Sequence, residues 1–178
     1  MSDPFQTLGL EPTFDVDLAE IERRHRDLSR ALHPDRYVGR PAAERRRALG
    51  HAIEVNDARR RLRDPVRRAE SLLERLGLLV AEGEEPKADP GLLMEMMEYR
   101  ERLAEARQTR ALDAVNRLSG DVRERERRVC ERLAAAFTRA LSSSNGADSA
   151  ETLLKPLGEL RYLRRFLDEA SAIEDEIA

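Results

Sequence analysis

The 178-residue sequence predicts an all-α protein made of two helical domains, and three observations carry that expectation. Leu, Ala, Arg and Glu dominate while aromatics make up only 4% with no Trp, a mix whose straight side chains lose little rotamer freedom in a helix. Apolar residues recur at three- and four-residue spacing along most of the chain, the period of a one-sided helix. Pro, Gly and Asp fall between these stretches, where helices start and stop. No fixed-period repeat indicates a solenoid.

The elements follow in order. Asp3-Pro4 opens a short helix that ends at Gly9. Asp15 or Asp17 caps a second, with Leu18, Ile21, His25, Leu28 and Leu32 on one stripe, His25 being read as a core residue. It stops near Leu32, because Pro34 disfavours helical geometry in the residue before it. A third begins after Pro41 and runs to about Arg63, with Leu49, Ala52, Val55 and Leu62 in step. Asp64-Pro65 closes it and starts a fourth that ends at Gly77; Asp at the cap with Pro next is a sound start. Gly77 to Asp89, with Gly83-Glu84-Glu85-Pro86, reads as a linker. The domains are therefore expected at residues 1–76 and 90–178, with the linker at 77–89.

Three longer helices are expected in the second part. One runs from about Asp89 to Leu118, with Leu92, Met96, Tyr99, Leu103 and Ala106 buried. Ser119-Gly120-Asp121 is read as a turn. The next reaches about Leu141, Ser142 to Gly146 form a loop with a cap at Asp148, and the last carries Leu153 to Ala170. Pro156 either kinks that last helix or sets its start later. Short connections favour an antiparallel bundle.

Charge is concentrated. Residues 23–68 hold 15 Arg against six acids, although the whole chain is net −3. Such a segment suits an acidic partner surface, or nucleic acid as a competitor. No apolar run approaches the roughly 20 residues that span a bilayer, and no signal peptide is visible. The single Cys130 excludes an internal disulfide and is read as a small buried apolar residue. The three histidines are scattered, so no metal site and no cofactor is expected. A reducing, cytoplasmic setting is the simple reading.

His33-Pro34-Asp35 sits between two helices, the first of which carries Arg23, Arg26 and Arg30 away from its apolar stripe. Together with Leu8-Gly9-Leu10, Asn56-Asp57-Ala58, Leu62 and Pro65, these residues resemble a J-domain over residues 3–76. Arg68-Ala69-Glu70, Leu72-Leu73, Leu93-Met94-Glu95, Arg100-Glu101 with Leu103, and Leu160-Arg161-Tyr162-Leu163 are similar to one branch, the HscB co-chaperones of iron–sulfur cluster assembly. The resemblance covers nearly the whole chain and implies an L-shaped J-domain plus three-helix bundle. It also implies a non-enzymatic protein with no small-molecule substrate, nucleic acid or membrane partner, which stimulates the ATPase of a DnaK-type chaperone, HscA, and delivers the scaffold protein IscU to it. His33, Pro34, Asp35, Arg23, Arg26 and Arg30 would meet the chaperone. Leu93, Met94, Met97 and Tyr162 would form the scaffold patch, with Glu98 and Glu101 as its rim. Eukaryotic relatives with an N-terminal tetracysteine zinc module differ from this chain, which points to a bacterial-type member. Arg59 departs from the family, where an aromatic is usual; its stem is expected to cover the gap while its guanidinium reaches water.

Pro34 fixes its own φ and lacks an N–H, which stiffens the tip that presents His33 and Asp35. Asp35 can accept charge-assisted hydrogen bonds from a partner arginine. Taken alone, Met94 to Met97 read as core packing, and Arg45-Arg46-Arg47 and Arg59-Arg60-Arg61 as solvated faces. Tyr162 and Phe166 are expected off the buried side of the last helix. Two other readings stand beside the main one: a J-domain protein with a different client, and a basic helical nucleic-acid binder. The interleaved acids Asp27, Glu44 and Glu54, and the scarcity of aromatics for stacking, count against the second.

Overall fold

A computed structural model describes residues 2–78, 89–142 and 150–177; the linker's 79–88, most of the expected loop after Ser142 and the Asp148 cap lie outside the described residues. The described residues form seven α-helices and no strand. The chain divides into two compact units, Met1–Leu79 and Val80–Ala178.

The first unit holds α1 (Pro4–Leu8), α2 (Leu18–Ala31), a 3₁₀ turn (Pro34–Tyr37), α3 (Ala42–Arg63) and α4 (Pro65–Arg75). Its helix ends are chemically explicit. Asp3 Oδ1 accepts from the Phe5 and Gln6 N–H groups at 2.9 and 3.4 Å, and Asp64 Oδ1 does the same for Val66 and Arg67 at 2.9 and 3.0 Å. Asp17, not Asp15, caps α2 through the Ala19 N–H at 2.8 Å. Such caps satisfy donors that a helix start leaves open. Gly9 and Gly77 end α1 and α4 in the left-handed region, at φ 64° and 68°.

α2 and α3 are antiparallel, since Glu22 meets Arg59 at 3.0 Å while His25 Nε2 meets Asn56 Oδ1 at 2.8 Å. Phe5, Leu8, Ile21, Leu62 and Leu72 are buried where α1 and α4 close over one end of this hairpin.

Several residues depart from the expected stripes. Leu49 is exposed and Ala48 is buried in its place. Ala48, Val55 and Leu62 repeat every seven residues and so share one side, from which Leu49 is turned about 100°. Leu18 is also exposed. His25 is not an apolar-core residue but a half-buried polar tie between α2 and α3. Asn56 Nδ2 donates to the Ala52 carbonyl at 3.0 Å, which leaves Oδ1 facing His25, so Nε2 carries the proton. The Arg59 guanidinium does not simply reach water: Nε lies 3.0 Å from both Glu22 oxygens.

The second unit is a bundle of α5 (Pro90–Gln108), α6 (Leu112–Ser142) and α7 (Ala150–Ile177). Arg125 on α6 reaches Glu95 on α5 and, at 2.8 Å, Glu159 on α7. α5 and α7 are parallel, because Tyr99–Phe166, Arg100–Glu169 and Arg107–Glu176 advance together.

The turn between α5 and α6 is not at Ser119-Gly120-Asp121 but at Thr109-Arg110-Ala111. Arg110 takes φ 50°, and the Ala111 N–H reaches back to the Ala106 carbonyl at 2.9 Å. This is the left-handed C-terminal cap that usually carries Gly. α6 continues through Ser119, which is buried, with its hydroxyl 3.5 Å from Glu174 Oε1. Packing on α7 thus overrides the local turn preference of that tripeptide. α7 begins at Ala150, ahead of Pro156, which lies inside the helix. Phe166 is fully buried rather than off the packed side, edge-on to Tyr99 with ring centroids 5.7 Å apart.

Candidate functional site

Two exposed surfaces carry the expected residues, one in each unit. In the first, α2 ends at Leu32 and the chain enters the 3₁₀ turn with His33 as its cap. His33 Nδ1 accepts the Asp35 N–H at 3.3 Å, and the Arg36 N–H donates to the His33 carbonyl at 3.0 Å. Nδ1 also lies 3.5 Å from Asp35 Oδ2. An Nδ1 that accepts a backbone N–H cannot also donate to that carboxylate, so the neutral ring holds its proton on Nε2, facing outward. The Asp35 side chain is almost fully open to solvent.

The three expected arginines of α2 are not equivalent. Arg23 is held by Glu20 at 2.6 Å and lies 3.7 Å from Asp27. Hydrogen bonds from Arg23 and then Arg24 hold the Glu20 carboxyl down to about 2. Arg26 and Arg30 are exposed, and neither forms an ion pair among the described residues. They project one turn apart, on the approach to His33.

In the second unit α5 buries Leu92, Met96, Leu103 and Ala106. Leu93, Met94 and Met97 lie off that side and are 38%, 67% and 62% exposed. Leu93, Met97 and Glu101 are successive at four-residue spacing, and Met94 and Glu98 form the adjoining row. Glu98 and Glu101 are exposed. Tyr162 is half-buried on α7. One turn back from Tyr99–Phe166, the parallel register puts Tyr162 level with Glu95 along the bundle. Met94 and Met97 are exposed, as the resemblance implies and against what residue type alone suggests, while Met96 is buried.

A groove of about 940 Å³ also lies in this unit, over Met96, Tyr99 and Val129. Arg125, Arg128 and Arg132 on its rim each face a carboxylate of Glu95, Glu124 or Glu159, so the rim is internally neutralised. Among the described residues no cluster of three metal-ligating side chains occurs. No described helix is long and apolar enough to cross a membrane. Leu49 and Ile53 of α3, both exposed, went unnoticed as surface residues in the sequence; only the one-residue phase difference from Ala48 could have found them.

A capped helical hairpin with this tripeptide at its tip, joined in one chain to a three-helix bundle, defines a J-domain co-chaperone. Residues 88–171 match the family described as the HSCB C-terminal oligomerisation domain. The chain is 30% identical to the co-chaperone protein HscB homolog of Neisseria meningitidis over 172 residues, 97% of this chain and 99% of that one. It is likewise 30% identical to the homolog from Shewanella oneidensis, covering 97% of each. Among solved structures it is similar to chaperone HscB from Vibrio cholerae (TM-score 0.78, 26% identity, 99% of this chain and 100% of that one). It also resembles the human co-chaperone protein HscB (TM-score 0.81, 26% identity, 97% of this chain and 82% of that one). The chain belongs to the HscB family of co-chaperones.

Proposed function

We propose that this co-chaperone stimulates the ATPase of a DnaK-type chaperone of the HscA kind and delivers to it an IscU-type iron–sulfur scaffold protein, in the cytoplasm and without chemistry of its own. The observation that carries the reading is the exposed His33-Pro34-Asp35 turn at the end of the Arg26/Arg30 row. Arg26 and Arg30 steer encounter with an acidic surface. Asp35 and the outward Nε2–H of His33 then contact the chaperone's hydrolysing state more favourably than its resting state, and only such differential affinity shifts a two-state partner. The scaffold meets Leu93, Met94, Met97 and Tyr162, with Glu98 and Glu101 as the polar rim; flexible Met side chains suit a partner that is later released.

The test is steady-state ATP hydrolysis by an HscA-type chaperone with this protein, with an IscU-type scaffold, and with both. Hydrolysis is expected to rise with the co-chaperone and to rise further with both. His33→Gln should abolish the rise while leaving the circular dichroism spectrum intact, since His33 is exposed and makes only the one cap. Undiminished stimulation by that variant would rule out the loop as the trigger.

A further inference from the structure

Leu49 and Ile53 are 59% and 62% exposed on α3. Single exposed aliphatics need no explanation, but these two are neighbours at i and i+4. The register of the hairpin says what they adjoin. Seven residues return a helix almost to the same side. Two turns beyond His25 is Leu32, and two turns before Asn56 is Leu49, so both lie on the flank marked by the His25–Asn56 hydrogen bond. Leu28 and Ile53 fill the turn between.

Among the described residues of the first unit, no helix covers this loop-side half of the hairpin. Between Ile21 and Val55 the only buried apolar residue is Ala48, while Leu28 and Leu32 are half-buried. The strip of Leu28, Leu32, Leu49 and Ile53 therefore ends directly at His33. Arg45 and Arg46 stand one turn from Leu49. Both arginines are exposed, and neither forms an ion pair among the described residues.

We propose that this strip is the apolar centre of the chaperone-docking face, seated against an apolar recess bordered by carboxylates on the DnaK-type ATPase. The inference rests on the function proposed above and divides the labour within it: Leu49 and Ile53 set affinity, and His33-Pro34-Asp35 sets activation. Charge selects the occupant. Unpaired Arg45 and Arg46 bordering an apolar centre call for acids bordering an apolar recess. A second copy of this chain would bring like-charged rims together, and a nucleic acid would leave the aliphatic centre unmatched.

The experiment is a titration of the chaperone's ATPase with the full-length protein, its Leu49→Ser/Ile53→Ser variant and its His33→Gln variant. Loss of apolar contact in a docking centre should raise the half-saturating concentration of the double variant about tenfold with the maximal rate unchanged. Leu49→Met with Ile53→Leu, which keeps the apolar area, should retain the wild-type value and thereby exclude misfolding as the cause. Wild-type half-saturation for the serine variant, with His33→Gln inactive, overturns this inference and leaves the proposed function standing. No stimulation by the wild type removes both. If the serine substitutions leave half-saturation unchanged but abolish self-association in sedimentation, or binding to phosphatidylserine vesicles, the strip serves that other occupant and the proposal falls.

Discussion

Glu20 shows how a single carboxylate organises the basic face of α2. It accepts from Arg23 at 2.7 Å and Arg24 at 2.8 Å, and these hydrogen bonds hold its carboxyl at about 2, against an ordinary 4.5. A carboxyl depressed on folding contributes stability that is fully present above pH 4.5 and lost as pH falls toward 2. A ¹³C carboxyl titration by NMR should therefore show Glu20 titrating at about 2, whereas a midpoint near 4.5 would mean that the Arg23 and Arg24 pairs do not persist in solution. The same pairing explains an uneven reading of the site. Arg23, Arg26 and Arg30 look alike as letters, yet Arg23 is engaged within its own helix while Arg26 and Arg30 stand open. The tip was legible because Pro34 constrains both itself and its neighbours. The His25 tautomer was not, because it depends on the orientation of Asn56, 31 residues away.

At the scale of elements, most helices were legible from their ends, where Asp3, Asp17 and Asp64 cap as their side chains dictate. The exception is the boundary between α5 and α6. Arg110 occupies a left-handed position with no glycine to announce it, and Ser119-Gly120-Asp121 has turn composition but lies inside α6. A side chain at Gly120 would meet nothing within 4 Å. Gly120→Ala should accordingly stabilise the protein by about 0.5–1 kcal/mol, read as an upward shift of the denaturant midpoint; a turn at this site would make the same change destabilising. The exposed arc of α5 permits a separate test of function. Leu93→Ala with Met97→Ala removes apolar area outside the core, so scaffold binding should weaken by about 1–3 kcal/mol with thermal stability nearly unchanged. Calorimetry showing unaltered affinity would move the scaffold surface elsewhere. Met96 could not be told from Met94 and Met97 by residue type; only the phase set by Leu92, Leu103 and Ala106 separates them.

Across the whole molecule, each unit has its own buried centre: Phe5, Ile21, Leu62 and Leu72 in one, Leu133, Phe137, Leu160 and Phe166 in the other. The composition changes after Gly77, close to where the two units divide at Leu79 and Val80, and the helix order followed from capping and periodicity. The parallel register of α5 and α7 did not, because it rests on cross-helix pairs such as Arg107–Glu176 at 2.6 Å. Two self-contained units in one chain give the proposed delivery a physical basis that neither has alone. Binding of one partner makes encounter with the other intramolecular, at an effective concentration of about millimolar for a short tether. Separate fragments 2–78 and 89–178 should each unfold cooperatively, because each retains its core. The first should still raise chaperone ATPase activity in a His33-dependent way, and the second should still bind scaffold. Mixed at micromolar concentrations, they should give only the first fragment's stimulation plus that of free scaffold, well below the intact chain with scaffold. If the mixture matched the intact chain in that ATPase assay, delivery would not depend on covalent linkage, and the two surfaces would act independently.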